Sequence, residues 1–186
     1  MKEQFLELLK KVKREGINEL IEFIEKTDFY KAPASTRFHG SYEGGLVEHS
    51  IKVYEILKHK VETNIEKVDI PEESIIIIGL LHDLCKANFY KVDYRNAKNA
   101  LGVWEKVPYY TVDDTIPYGH GEKSVIILQN FIHLSAEEIF AIRAHMGGFD
   151  TSVKGGDYFI GKIFEKSKLA LLLHVADMKA TYLLEG

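Results

Sequence analysis

The chain has 186 residues, 46% of them hydrophobic, with 24 basic and 28 acidic side chains and a formal charge of -4. That charge excludes a global basic field of the kind that drives non-specific nucleic-acid binding, leaving room only for a local basic groove. No apolar run reaches membrane-spanning length, the amphipathic start Met1 to Lys10 does not read as a secretory leader, and no Pro/Ser-rich linker divides the chain, so a single cytoplasmic domain over 1–186 is predicted.

Helical periodicity dominates the chain. Phe5, Leu6, Leu8, Leu9 and Val12 form one apolar stripe and Ile17 to Ile24 a second, which together predict a helical extension over 1–30. Leu46, Val53, Tyr54, Leu57 and Val61 form a third stripe, and a buried helix is expected over 71–87. Between Asn88 and Val112 the pattern changes: Phe89 to Tyr94 and Val103 to Val112 flank the polar, Gly-containing stretch Arg95 to Gly102, which predicts a small β-hairpin projecting from the helical body. Further helices are expected over 122–132, 135–146, 157–167 and 168–184. The predicted fold class is mainly α with one inserted ribbon at about 88–112.

His82 and Asp83 stand inside the most apolar run of the chain, Ser74 to Lys86, with four isoleucines and two leucines before them. A buried ionised carboxylate is costly unless a cation or hydrogen-bond donors meet it, and a bound metal ion would be such a partner. Lys86 follows His82 by four residues and Asp83 by three, a spacing that puts its ammonium on their side of a helix. His49 shares a face with Leu46 and Val53 and points inward, although a lone inward histidine is more often a hydrogen-bonded core residue. Asp177 lies in Leu169 to Met178, apolar nearly all round, and also needs a buried partner. Two buried carboxylates and two inward histidines are explained better by a cation than by separate accidents. Cys85 is the sole cysteine, so neither a disulfide nor a cysteine-rich zinc site can form, and any metal must use imidazole and carboxylate.

These residues resemble the HD-domain superfamily of metal-dependent phosphohydrolases, whose pattern is a His, a His-Asp doublet and a distant Asp. The segments Tyr42 to Ser50, Gly79 to Lys86 and Leu173 to Met178 look like the family's ligand-bearing helix contexts, and the resemblance covers roughly 33–184, an HD-type helical bundle. It implies His49, His82, Asp83 and Asp177 as metal ligands. In the family's longer form two further histidines complete a binuclear site with the doublet Asp bridging, which implies His120 and His145. On their own residues these two are helix-end histidines, His120 before a helix start and His145 before Gly147 and Gly148. His174 reads as a core residue or a support for the ligands, and His59 and His133 as ordinary packed or solvated histidines.

Imidazole and carboxylate donors suit one or two divalent ions, Mn, Fe, Co, Ni or Zn, with Mg less favoured. Such an ion lowers the pKa of its water and polarises a phosphoryl oxygen. Lys86 would neutralise charge developing on phosphoryl or leaving oxygens, a role also implied by the family subset with a lysine three residues after the doublet. Arg37 and His39, in Pro33 to Tyr42, stand where they could reach a phosphate, with Gly40 where the family's run often has a second His. Lys123, at the start of the helix after His120, could meet an anion, and the tyrosines of Pro108 to Asp114 could stack on a base. The expected activity is hydrolysis of a phosphate ester or anhydride of a nucleotide or similar small substrate by a metal-activated water, Asp83 and Lys86 being the catalytic pair. The alternatives are a nuclease acting on short single-stranded oligonucleotides, a di-iron oxygenase of the HD type, and a non-catalytic binding module. No membrane partner is expected, and the sequence does not specify the oligomeric state.

Overall fold

A computed structural model describes residues 1–63 and 68–185. In chain order its elements are α1 (Lys2–Leu9), α2 (Ile17–Lys26), α3 (Gly45–Glu62), α4 (Glu72–Leu81), a 3-10 turn (Leu84–Lys86), β1 (Tyr90–Lys98), β2 (Trp104–Val112), α5 (His120–Gln129), α6 (Ala136–Ala144), α7 (Thr151–Lys154), α8 (Phe159–Lys166) and α9 (Lys168–Lys179), which continues as a π-turn over Ala180–Leu184. The mainly α class with one inserted hairpin is as expected.

The centre is α3, which packs against both α4 and α9, while α6 packs against α9 and touches α4, and α5 lies beside α6. Burial explains α4: Ser74 to Leu81 are all buried, so this helix has no polar face and is held by packing rather than by an amphipathic stripe. Gly79 lets α3 come close, because a Cβ there would stand 2.8 Å from the Tyr54 Cα. That close approach brings His49 on α3 to His82 at the end of α4.

The first thirty residues share the main core. Phe5 and Leu9 are fully buried, and the Phe5 ring meets Phe29 at 5.1 Å and Tyr30 at 5.7 Å. Arg14 grips Glu138 of α6 through two bonds of 2.8 and 2.6 Å, and Glu138 in turn closes a capping box with Ser135. The buried Glu138 carboxylate is thus satisfied by the Arg14 guanidinium and the Ser135 backbone amide, which ties the extension to the bundle.

Several element ends differ from expectation. The helix expected over 71–87 stops at Leu81; Asp83 has φ -104 and ψ 21, and Leu84–Lys86 form a 3-10 turn. α5 begins two residues earlier than expected, at His120, and α7 was not anticipated; its Asp150 side chain accepts from the Ser152 amide, a local cap on a four-residue helix. The helix expected over 168–184 changes to a π-turn after Lys179.

The hairpin runs from Tyr90 paired with Val112 to Lys98 paired with Trp104. Its loop is closed by Asn99, whose side chain accepts from the Leu101 and Val103 amides, while Gly102 takes φ 78. Both strands are largely exposed, and the ribbon is held at its root, where the Tyr90 hydroxyl donates to the Ala34 carbonyl at 3.2 Å.

Candidate metal centre

The helix break at the doublet has a direct effect on the site. With α4 ended at Leu81, His82 remains helical and its ring lies back over the last turn, while Asp83 departs and turns its carboxylate toward His49, His145 and Lys86. His49 Nε2 lies 3.2 Å from Asp177 Oδ1 and 3.8 Å from Asp83 Oδ2, His82 Nε2 lies 3.6 Å from Asp83 Oδ2, and His145 Nε2 lies 3.4 Å from Asp83 Oδ1. Asp83 is therefore central, its two oxygens facing different histidines.

All three imidazoles are oriented alike. His82 Nδ1 donates to the Gly79 carbonyl at 3.1 Å and His145 Nδ1 to the Ile142 carbonyl at 2.6 Å, the same three-residue reach back to the end of a helix. His49, mid-helix, has no free carbonyl behind it, and its Nδ1 instead meets Glu185 Oε2 at 3.2 Å. A carbonyl or carboxylate oxygen can only accept, so each Nδ1 carries a proton and each Nε2 faces the others.

Those inward atoms are poorly satisfied. His49 Nε2, His82 Nε2, His145 Nε2 and Asp83 Oδ1 are buried and make no well-formed hydrogen bond, His49 Nε2 and His145 Nε2 having only carboxylate oxygens at 3.2 and 3.4 Å. Four such ligand atoms converging in one buried place would each cost free energy on their own. Among the described residues, His49 with His82 and Asp83, and His82 with His145 and Asp177, present ligand atoms within 4.8 Å of one another, as do His39, His49 and Glu185. The donor set of nitrogen and carboxylate oxygen fits a divalent ion.

The electrostatics divide the histidines. Burial lowers His82 to about 4, so its Nε2 offers a lone pair at neutral pH. For His49 burial acts in the same direction but is overcome by Asp177 and Glu185, which raise it to about 9. Burial would raise Asp83; Lys86, at 2.6 Å, with His82 and His145 outweighs it and holds the carboxyl well below the usual carboxylate range. Asp177 is lowered too, the pull of His49 exceeding the cost of burial.

Lys86 is itself buried, and its ammonium is paired with Asp83. The chain thus supplies a cation of its own to that carboxylate, as the three-residue spacing from Asp83 to Lys86 suggests. Lys86 arrives through the 3-10 turn rather than along a continuous helix.

The other candidates fall in different places. His120 enters none of the three groups among the described residues; its Nδ1 lies 3.4 Å from Cys85 Sγ and its ring 5.6 Å from Phe89, although burial and nearby Lys86 lower it and Asp83 acts on it in the opposite sense. His39 belongs to the cluster's edge, its ring 4.8 Å from that of His49. Arg37 is exposed, its guanidinium 5.2 Å from the Phe38 ring centroid. Lys123 is buried, but its ammonium is already paired with Asp114 at 2.6 Å and lies over the Phe89 ring, so it is not a free anion receptor. His174 donates from Nδ1 to the His145 carbonyl at 2.6 Å and stacks on Phe164; Gly147, with φ 52, leaves room for its ring. It supports His145. His59 and His133 are exposed.

Glu185 is the site residue that sequence reasoning missed. It is delivered by the π-turn after α9, its side chain is only 3% exposed, and it is held by Lys52 at 3.6 Å as well as by His49. A single acid after Tyr182, Leu183 and Leu184 carries no motif that would mark it.

An α-helical body that gathers imidazole and carboxylate donors from α3, the end of α4, the end of α6 and α9 around one central aspartate is a candidate metal centre of the histidine–aspartate class. The HD domain model matches residues 46–181, and the chain belongs to that family. It is also 39% identical, over 62 residues, to a dihydroneopterin 2',3'-cyclic phosphate phosphodiesterase of Methanocaldococcus jannaschii. The aligned stretch is 32% of this chain and 25% of that protein, so the chain matches about a quarter of the relative's length. No solved structure matches. No helix among the described residues is long and apolar enough to cross a membrane.

Proposed function

We propose that this protein is a metal-dependent phosphohydrolase that cleaves a phosphate ester or anhydride in a nucleotide-like substrate. The observation that carries the proposal is the convergence of four buried ligand atoms without a well-formed hydrogen bond, His49 Nε2, His82 Nε2, His145 Nε2 and Asp83 Oδ1, beside a buried ammonium. In this reading His49, His82, Asp83 and Asp177 would hold one divalent ion, and Asp83, His145 and His120 would serve a second. Bound there, such an ion would generate a nucleophilic water at neutral pH and polarise the phosphoryl group.

The remaining work belongs to the chain's own residues. Glu185, Gly79 and Ile142 hold the three imidazoles in one tautomer, so that no reorientation is needed when a ligand arrives. Lys86 is kept charged by Asp83 against the cost of burial, and it supplies positive charge where the phosphoryl oxygens would gain negative charge. His39, beside His49, stands where it could donate to a phosphate oxygen. The phosphodiesterase named above acts on a cyclic phosphate attached to a planar heterocycle, which favours 2',3'-cyclic and other nucleotide-like esters among the substrates.

The test is metal analysis of the purified protein followed by a phosphate-release screen over 2',3'-cyclic nucleotides, nucleoside mono-, di- and triphosphates and aryl phosphates, with Mn, Fe, Co, Ni, Zn and Mg added separately. Turnover abolished by a chelator and restored by a metal is expected. A metal-loaded protein that consumes oxygen and hydrolyses none of these esters would overturn the proposal. His120→Ala should lower metal content by less than His82→Ala does, because it is expected to touch the second ion alone.

A further inference from the structure

Strand alternation divides the β1–β2 ribbon into two unlike faces. One carries Tyr90, Val92, Tyr94, Asn96 and Lys98 opposite Val112, Tyr110, Pro108, Lys106 and Trp104. The other carries Lys91, Asp93, Arg95 and Ala97 opposite Thr111, Tyr109, Val107 and Glu105. Both acidic residues of the strands lie on the second face, so the first is aromatic, apolar and basic without a carboxylate. The ribbon as a whole holds four basic and two acidic residues, on a chain whose formal charge is -4.

The first face begins at the candidate metal centre. Tyr90 is half-buried at the root, four residues after Lys86, is bonded to Ala34, and its ring lies 4.9 Å from that of Phe89, which in turn lies 5.6 Å from the His120 ring. From there the face leads outward past Tyr94, 63% exposed, to Trp104, 66% exposed, with the Lys98 ammonium 5.3 Å from the indole centroid. An isolated two-stranded ribbon is marginal in water, and a row of exposed aromatics on one gains nothing from the protein's own core.

We infer that this face is a binding track for single-stranded oligonucleotide whose reacting phosphate lies at Asp83 and Lys86, with bases stacked on Tyr94 and Trp104 and backbone phosphates met by Lys98 and Lys106. Aromatic platforms interleaved with lysines are what sequence-tolerant single-strand binding requires. A second copy of the chain fits the same face less well. A two-fold contact of this face with itself would set Lys98 and Lys106 against lysines with no carboxylate to compensate.

The sole tryptophan of the chain lies on the track and reports on it. Titration of the metal-loaded protein with an eight-nucleotide oligouridylate should quench Trp104 emission, whereas uridine monophosphate at equal phosphate concentration should not, and rising salt should weaken the binding. Tyr94→Ala and, separately, Lys106→Ala should each weaken binding of a labelled oligouridylate by about tenfold or more in anisotropy, with unchanged far-ultraviolet circular dichroism. Absent quenching, wild-type binding by both variants, or protein self-association that shields Trp104 without oligonucleotide would each overturn the track. The inference rests on the phosphohydrolase reading for the position of the reacting phosphate, yet the two fail separately: hydrolysis of small esters without oligonucleotide binding removes the track alone, and oligonucleotide binding without any hydrolysis removes the enzyme alone.

Discussion

The candidate metal centre and the β1–β2 ribbon invert ordinary side-chain placement in opposite directions. At the centre, ionisable groups are buried among isoleucines and leucines; on the ribbon, Tyr94, several valines and a tryptophan stand in water. Neither arrangement is favourable in the protein alone, since buried polar atoms want partners and exposed aromatic surface wants cover. Their tolerances to change should nevertheless differ greatly. The centre is fixed by packing on several sides, so one altered residue disturbs several, while the ribbon is held at its root and its exposed outer residues lie away from the core.

Asp83→Ala should break the centre most completely. It removes the group that faces His49, His82 and His145 and leaves the Lys86 ammonium buried without its partner. We expect loss of bound metal by elemental analysis, no measurable turnover, and a metal-free fold weakened by roughly 3 kcal/mol in denaturant melts. Retention of a full metal complement would show that Asp83 is not the central ligand.

Lys86→Ala separates metal holding from chemistry. Metal content should stay within error while turnover falls about 100- to 1,000-fold. If metal is lost together with activity, the ammonium is holding Asp83 in position instead of acting on substrate.

Glu185→Ala should weaken metal affinity about 10- to 100-fold, with Glu185→Gln recovering part of the loss because an amide oxygen can still accept from His49 Nδ1. The imidazole nitrogen shifts of His49, measured by NMR in the metal-free protein at a pH above about 9 where the ring is neutral, should move toward a mixture of tautomers in the alanine variant. Unaltered shifts would remove Glu185 from the positioning role.

Protons provide a finer measure. With His49 raised to about 9, metal binding near neutral pH must displace the proton on its Nε2. Calorimetry in buffers of different ionisation enthalpy should show proton release near pH 7 that fades as the pH rises past about 9, whereas His82, lowered to about 4, should contribute none over that range. The same raised value means that the metal-free fold draws stability from the His49 pairs below its ordinary titration range and loses it as pH rises through about 9.

The smallest effect should come from the ribbon. Trp104→Ser should alter stability by no more than about 0.5 kcal/mol, because the indole is exposed and far along the hairpin from its root. A large drop in melting temperature would mean that the ribbon supports the fold, and the contrast between the two regions would disappear.

Much of this was readable before any coordinates. Apolar spacing marked the helices, the change of period between Asn88 and Val112 marked the ribbon, and the doublet stood out because two polar residues interrupted an isoleucine-rich run. Element ends were less legible. Ending α4 at Leu81 depends on what Asp83 meets across the core, and local propensity contains no term for that. Lys123 illustrates the same limit: a lysine at a helix start resembles an anion receptor until Asp114 is found beside it.

The sequence by itself determined the helical class, the inserted ribbon and the kinds of donor available, because periodicity and residue chemistry are local properties. Only the tertiary structure decided which donors meet and in what state. His49 and Glu185 are 136 positions apart, and Asp83 acquires Lys86 through a turn that replaced the expected helix. Pairing of buried charges depends on distance through the folded interior, and spacing along the chain does not encode that distance.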